Sequence, residues 1–222
     1  MILILDIVPL QDGLTRSWHD RPDGDFGKER PRPEGDLETD ERVREEWLSL
    51  VARQHQANFS LWHIEDEARR PGASDAELAA VKRRIDKTNQ QRNDLVEDLD
   101  KFLLEWLWKR NLPNQNAPLH SESPGLIIDR LSILSLKIYH TREEVERSHA
   151  PTGHDERNRE RLAILEKQRR DLAGCLADLW REILEGKRRF ELYRQLKMYN
   201  DPSLNPAIYR DSETKSGEKA PS

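Results

Sequence analysis

Two stretches of this chain place an arginine inside the apolar stripe of a long helix. The stretches, 87–99 and 165–176, align with Arg92 on Arg169, and an apolar residue lies seven positions before and after each arginine. Seven residues span two helical turns, so the arginine and the apolar residues share one helix face. A buried charge needs partners, because its desolvation is costly when it is unpaired. The pattern therefore predicts a helical bundle whose interior holds polar partners for both guanidinium groups.

The overall composition favours long amphipathic helices over disorder. Charged residues make up 36% of the 222 residues and hydrophobic residues 35%. The charges lie between regularly spaced Leu, Ile, Val and Trp, which is typical of helices with one solvated face. The net charge of −5 argues against general nucleic-acid binding, because that function needs a basic surface.

The cysteine usage and the first ten residues predict a cytoplasmic protein without membrane insertion. Cys175 is the single cysteine, which excludes a disulfide within the chain. The apolar opening MILILDIVPL has no basic lead and is interrupted by Asp6 and Pro9. Such a segment is too short and too interrupted for a membrane span or a signal peptide.

Turn-forming residues divide the chain into four predicted regions. Residues 1–19 are predicted to form an N-terminal helix that packs on the bundle. Residues 20–38 are rich in Pro, Gly and charge and are predicted to be a flexible linker. Residues 39–210 form the helical bundle domain, and residues 211–222 are predicted to be disordered.

Within the bundle domain we expect an all-α fold of two long antiparallel αα-hairpins, at about 39–110 and 123–198, with a C-terminal tail at 199–210. Ser74 and Glu77 form a capping-box pattern at the start of the second helix. The fourth helix is expected to continue past Gly186. The similarity of the second and fourth helices suggests an internal duplication.

Polar residues at helical spacing extend the arginine positions into a candidate interior site. The candidate ligand-binding residues are Arg69, Asn89, Arg92, Asn93, Asp129, Arg130, Lys137 and Arg169. Arginine and lysine suit phosphate or carboxylate groups, arginine through its planar fork. Candidates for proton transfer are Glu65, Asp66 and His140. Trp18 and His19 are candidates for covering the site.

Carboxylates in the same region are candidate metal ligands, with Mg²⁺ as the candidate cofactor. The candidates are Glu65, Asp66 and Asp94. Glu65-Asp66 is followed by Arg69, which departs from the E-E-x-x-E motif by which all-α pyrophosphohydrolases hold magnesium. His63 and Glu67, four residues apart, also suit a metal ion, although a surface position explains this pair as well.

Four motifs occur together in this chain: LWHIEDEAR at 61–69, KRRIDKTNQQRNDLVEDLD at 82–100, SPGLIIDRLSILSLKIYH at 123–140 and YRQLKMYNDPSLNP at 193–206. With these motifs the chain resembles the bacterial DUF4254 domain family over roughly residues 5 to 210. The family has no assigned activity, so the resemblance implies no role for any residue. It marks as motif members Glu65, Asp66, Arg69, Asp86, Asn89, Arg92, Asn93, Asp94, Asp129, Arg130, Lys137 and His140.

Three interpretations of the polar residues remain open. In the first, they bind a small anionic metabolite, such as a nucleotide, sugar nucleotide or sugar phosphate, with hydrolytic or transfer activity. In the second, the protein is a non-catalytic scaffold whose long helices pair with another copy or with an envelope glycosyltransferase, a partner that the resemblance suggests. In the third, the polar residues form a buried salt-bridge network that fixes the register of the helices.

Overall fold

The computed structural model describes residues 4–20, 40–196 and 203–206, and these residues form five α-helices after one 3-10 turn at Ile4–Asp6. The helices are α1 (Ile7–His19), α2 (Asp40–Glu67), α3 (Asp75–Trp108), α4 (Pro124–Glu146) and α5 (His154–Leu184). Within the described residues, β pairing is limited to one isolated bridge between Leu119 and Arg189. The predicted all-α class is confirmed.

Local sequence explains where two of the long helices begin. At the start of α3, the Ser74 hydroxyl accepts from the Glu77 backbone N–H at 3.3 Å, and the Glu77 carboxylate accepts from the Ser74 N–H at 2.8 Å. This is the predicted capping box. At the start of α4, the Ser123 hydroxyl accepts from the Leu126 N–H at 3.4 Å, and Pro124 occupies the first turn.

The helices pack as two antiparallel hairpins, with α2 against α3 and α4 against α5. Ion pairs join the end of one helix to the beginning of the next, Glu67 to Arg84 at 2.6 Å and Arg142 to Glu166 at 2.6 Å. Helix α1 packs mainly against α4 and α2. The two hairpins agree with the prediction, while their origin in an internal duplication stays a prediction.

The expectation that the fourth helix continues past Gly186 is wrong, because α5 ends at Leu184. Gly186 adopts a φ of +69°, a left-handed conformation that glycine adopts without steric cost. The Lys187 N–H then donates to the Glu182 carbonyl at 2.8 Å, which is the closing bond of a Schellman motif. The chain turns back from the helix axis, and Phe190 is buried in the core.

The apolar core occupies one end of the bundle. It is formed by the first half of α2, the second half of α3, the first half of α4 and the second half of α5. Its most deeply buried members include Trp47, Leu99, Leu103, Leu107, Ile127, Ile128, Leu131, Ile183 and Phe190. The first half of α3 is exposed over most of its length. The opposite end of the bundle therefore has space between α1, α2 and α3.

Contacts divide the chain into one unit, Met1–Leu192, and a second unit, Tyr193–Ser222, and the sites below lie in the first. Nearly all of the linker predicted at 20–38 and all of the disordered segment at 211–222 lie outside the described residues. Only 203–206 of the tail predicted at 199–210 are described, so its packing stays a prediction. None of the described helices combines the length and apolarity that crossing a membrane requires.

Candidate functional site

Arg92 of α3 forms an ion pair with Asp129 of α4 inside the bundle. Its Nε donates to Asp129 Oδ1 at 2.7 Å, and its Nη2 donates to Asp129 Oδ2. The Asp129 side chain is 6% exposed and that of Arg92 is 25% exposed. The hydrogen bond to Asp129 raises the pKa of Arg92 above its ordinary value. The inward direction predicted for Arg92 is therefore confirmed.

Two amides of α2 complete the surroundings of Asp129. Gln54 Nε2 donates to Asp129 Oδ1 at 2.7 Å, and Asn58 Nδ2 donates to the same oxygen at 2.9 Å. Asn58 Nδ2 also lies 2.9 Å from Ser132 Oγ. Protein groups thus neutralise and solvate this buried carboxylate, as the register-fixing interpretation requires.

His55 connects this network to α1. The Thr15 hydroxyl donates to the Gln11 carbonyl at 2.8 Å, so it accepts from His55 Nε2 at 2.9 Å. His55 Nδ1 then accepts from the Ser132 hydroxyl at 2.7 Å. Burial lowers the pKa of His55 to about 4, so the ring is neutral at neutral pH. These partners place the ring proton of His55 on Nε2.

Arg169 of α5 also points inward, but to a different acid. Its Nη1 lies 2.7 and 2.8 Å from the two carboxylate oxygens of Asp12 in α1, and the Ser135 hydroxyl donates to Asp12 at 2.5 Å. The Arg169 side chain is 15% exposed, so its predicted inward direction is confirmed. Because Asp12 and Asp129 are separate partners, the two arginines do not bind a shared carboxylate.

The inward direction expected for Glu65, Asp66 and Arg69 is wrong. Asp66 and Arg69 are exposed, and Glu65 is half-buried and pairs with Arg69 at 3.1 Å. These residues occupy the last turns of α2, beyond the apolar core, where the facing part of α3 is itself exposed. Their roles as ligand-binding or catalytic residues stay predictions.

The other candidates lie at the margin of the interior or on the surface. Asn89 and Asn93 are half-buried, and Asn89 accepts from Arg92 at 3.5 Å. The exposed candidates are Asp94, Arg130 and Lys137. The structure therefore brings together Asn89, Arg92 and Asp129 and leaves the surface candidates apart from them.

Three imidazole rings meet between α1, α2 and α4, from His19, His63 and His140. One ring nitrogen from each lies within 4.8 Å of the others. Among the described residues, this is the one group of three or more His, Cys, Asp or Glu whose donor atoms converge so closely. The three-histidine cluster is consequently the candidate metal centre of this part of the chain.

Within the described structure, the Nε2 atoms of all three rings are buried and lack a hydrogen-bond partner. His19 Nδ1 donates to the Thr15 carbonyl at 2.7 Å, which leaves a lone pair on Nε2. His140 Nδ1 lies 2.8 Å from a carboxylate oxygen of Glu143, which favours the same tautomer. Carbonyl and carboxylate partners of this kind typically orient metal-binding histidines.

Aromatic side chains restrict the three rings. Trp62 stacks on His140 with ring centroids 4.8 Å apart, and Tyr139 stacks on His19 at 4.2 Å. Phe59 contacts the His63 ring edge-to-face, with ring centroids 4.5 Å apart. Burial, and to a smaller extent the two neighbouring imidazoles, lowers the pKa of His63. The cluster is thus a set of confined imidazoles with their Nε2 atoms turned away from bulk water.

A cavity of about 520 Å³ lies beside the cluster, between α1, α2 and α3. Its volume falls in the range of small-molecule sites. His19 and His63 line it, together with Trp18, Phe59, Ser60, Ile64, Glu67, Arg84 and Thr88. A metal ion held by the histidines would have this cavity on one side.

Sequence reasoning identified two of the three histidines in different ways. His140 was predicted as a candidate for proton transfer, and His63 belonged to the pattern with Glu67. His19 was assigned only to a covering role, because a long segment separates α1 from the remaining helices and no helical period relates them. The Thr15 to His19 spacing of one turn, which orients the ring through a backbone carbonyl, was the available local signal.

A family model described as a protein of unknown function (DUF4254) matches residues 48–192, which confirms the family resemblance over that range, while the motif at 193–206 lies outside it. The matched range contains His63 and His140 and begins after α1, which carries His19. No curated protein and no solved structure matches the chain. Any functional assignment therefore depends on the chemistry of the site itself.

Proposed function

This chain belongs to the DUF4254 family of proteins of unknown function, and we propose that it binds a divalent transition-metal ion through His19, His63 and His140. The observation that carries the proposal is that one ring nitrogen of each histidine lies within 4.8 Å of the others, and that the Nε2 atoms of all three rings are buried without hydrogen-bond partners. Burying an unsatisfied polar atom is unfavourable, and one metal ion satisfies all three atoms together. Nitrogen ligands of a tetrahedral ion at ~2.1 Å lie roughly 3.4 Å apart, so a bound ion would draw the three ring nitrogens, which lie within 4.8 Å of one another, closer together.

The ligand chemistry selects the class of metal. Neutral imidazoles favour Zn²⁺ and its neighbours Co²⁺, Ni²⁺ and Cu²⁺, whereas Mg²⁺ prefers oxygen ligands. Among the described residues, the magnesium candidates Glu65, Asp66 and Asp94 form no comparable group. Zinc is therefore the proposed resident ion.

Three protein ligands leave a fourth coordination position on the metal. In zinc enzymes this open position holds water, whose pKa the ion lowers to about 7. Here the cavity beside His19 and His63 would supply room for a small molecule close to such an ion. The proposed activity is metal-dependent hydrolysis of a small molecule bound in this cavity.

Metal binding by the full chain tests the proposal. After treatment with a chelator, the protein is expected to bind one Co²⁺ or Zn²⁺ per chain, with a visible Co²⁺ band typical of tetrahedral nitrogen ligation. His63→Ala should weaken binding by roughly a hundredfold, since it removes one of three protein ligands. His149→Ala is the matched control, because His149 is an exposed histidine.

Two results would contradict the proposal. One is a wild-type protein that acquires no Co²⁺ band and no stoichiometric zinc. The other is equal metal affinity in the His63→Ala and His149→Ala proteins. Circular dichroism of each variant separates loss of a ligand from loss of the fold.

Glu143 is expected to support the metal through His140. Glu143→Gln keeps an oxygen near His140 Nδ1 but removes the negative charge, so zinc affinity should fall about tenfold. Glu144→Gln is the control, since the Glu144 carboxylate contacts His154 at 2.7 Å instead. Competition with a chromophoric chelator measures both affinities, and equal losses in the two variants would argue against the role given to Glu143.

A further inference from the structure

The cavity beside the histidines has a second polar wall, formed by Glu67 of α2 and Arg84 of α3. Arg84 Nη1 donates to one carboxylate oxygen of Glu67 at 2.6 Å, and Nη2 donates to the other at 3.1 Å. The two side chains are 53% and 49% exposed. The guanidinium fork is thus positioned on the cavity wall in the geometry with which it grips an oxyanion.

The charge of the cavity depends on the metal. The Glu67–Arg84 pair is neutral overall, and besides His19 and His63 the other lining residues of the cavity are uncharged. A bound divalent ion would add two positive charges beside this neutral ion pair. A cavity whose lining carries a net positive charge attracts anionic ligands.

We infer that the ligand of this cavity is a small molecule with a terminal phosphate or carboxylate, held between the open position of the metal and the Arg84 guanidinium. The inference rests on the proposed metal centre. An exposed ion pair such as Glu67–Arg84 contributes little to stability, so Arg84 readily exchanges the Glu67 carboxylate for an oxyanion of the ligand.

The apolar wall of the cavity indicates the rest of the ligand. Trp18 and Phe59 lie in edge-to-face contact with ring centroids 5.1 Å apart, and Ile64 lines the same cavity. Aromatic walls favour a planar or apolar body, which stacks against the rings while its polar end is fixed elsewhere. The ligand class is therefore an oxyanion attached to a ring or a similar apolar group.

Co²⁺-loaded full-length protein provides the test, because an anion that enters the inner coordination sphere changes the visible Co²⁺ band. The probes are phenyl phosphate, benzoate, inorganic phosphate and benzyl alcohol. We expect saturable band shifts with the three anions and none with the neutral alcohol. Phenyl phosphate should bind more tightly than inorganic phosphate, and its comparison with benzoate decides between phosphate and carboxylate.

Two substitutions in the polar wall are expected to change the affinity for phenyl phosphate in opposite directions. Arg84→Gln should weaken phenyl phosphate binding about tenfold by removing a charge-assisted pair of hydrogen bonds. Glu67→Gln should strengthen it several-fold, because it removes the carboxylate that competes for Arg84. Arg83→Gln is the matched control, since Arg83 is exposed on α3 and does not line the cavity. The Co²⁺ band without anion should stay unchanged in all three.

The outcomes separate this inference from the metal proposal. A Co²⁺ band that no anion perturbs overturns the inference and leaves the metal centre in place. Equal affinities in the Arg84→Gln and Arg83→Gln proteins, or weaker binding in Glu67→Gln, overturn the role of the polar wall. Equal binding of phenyl phosphate and inorganic phosphate overturns the assignment of the aromatic wall. Absence of any Co²⁺ band overturns the proposed function and this inference together.

Discussion

Replacing Arg92 with methionine is expected to destabilise the fold by about 3–5 kcal/mol, as for a buried ion pair that loses one partner. Methionine fills similar space but leaves the Asp129 carboxylate, which is 6% exposed, without a countercharge. The amides of Gln54 and Asn58 still donate to it, but they carry no positive charge. Urea unfolding followed by circular dichroism measures the loss.

Neutralising the acid as well should reverse most of this effect. In the Arg92→Met, Asp129→Asn double variant, the asparagine oxygen still accepts from Gln54 and Asn58, and no buried charge remains. Arg142→Met is the control, because the side chains of its ion pair with Glu166 are 45% and 31% exposed, so the pair should contribute less than the buried one. If Arg92→Met were no more harmful than Arg142→Met, Asp129 would not be the desolvated acid described above.

Ionisation of the buried Asp100 carboxyl is expected to lower the free energy of unfolding by up to about 3 kcal/mol as the pH rises from 4 to 7. Its carboxylate accepts from the Ser123 hydroxyl and, at 2.7 Å, from the Gly125 N–H. Burial nevertheless dominates and raises the pKa of Asp100 from 3.8 to about 6. A carboxyl that binds its proton more tightly when folded stabilises the fold below pH 4. That contribution is lost as the pH rises through 6.

His55 changes the free energy of unfolding in the opposite direction over nearly the same pH range. Because burial lowers the pKa of His55 from 6.5 to about 4, its contribution is complete above pH 6.5 and is lost as the pH falls toward 4. The wild-type protein should therefore show a shallow pH profile in which the two effects oppose each other. Only a variant at one of these residues reveals either effect.

Asp100→Asn separates the two contributions. Asparagine accepts from the Gly125 N–H and approaches the Ser123 hydroxyl with its amide, but it does not titrate. Urea unfolding between pH 4 and 8 should show the stability of this variant rising relative to wild type by up to about 3 kcal/mol. Asp98→Asn, an exposed position on the same helix, is the control. Parallel profiles for wild type and Asp100→Asn would show that folding does not raise the pKa of Asp100.

The helix starts were predictable from sequence because each depends on neighbours within one turn. Ser74 with Glu77, and Ser123 with Pro124, formed the caps that their order along the chain predicted. The end of α5 was not predicted, because the apolar residues after Gly186 continue a helical spacing. The left-handed conformation of Gly186 instead returns the chain so that Phe190 enters the core from outside the helix.

The candidate site was predictable only in part. The apolar spacing around Arg92 and Arg169 correctly predicted their inward direction, because residues two turns apart share a face. The same rule failed for Glu65 and Asp66, since a helical period does not show how far along α2 the packed core extends. It also could not identify Asp12 as the partner of Arg169, because the two residues are 157 positions apart in the sequence and no helical period relates them.

The amino-acid order alone determined where α3 and α4 begin and which helix face carries Arg92 in α3 and Arg169 in α5. Those properties depend on interactions within about four residues. Tertiary packing decided that the last residue of α1, His19, meets His63 of α2 and His140 of α4. The physical reason is that the way separate helices cross depends on their buried surfaces and on polar contacts between them, such as that of Thr15 with His55. A periodicity within one helix does not specify where another helix crosses it.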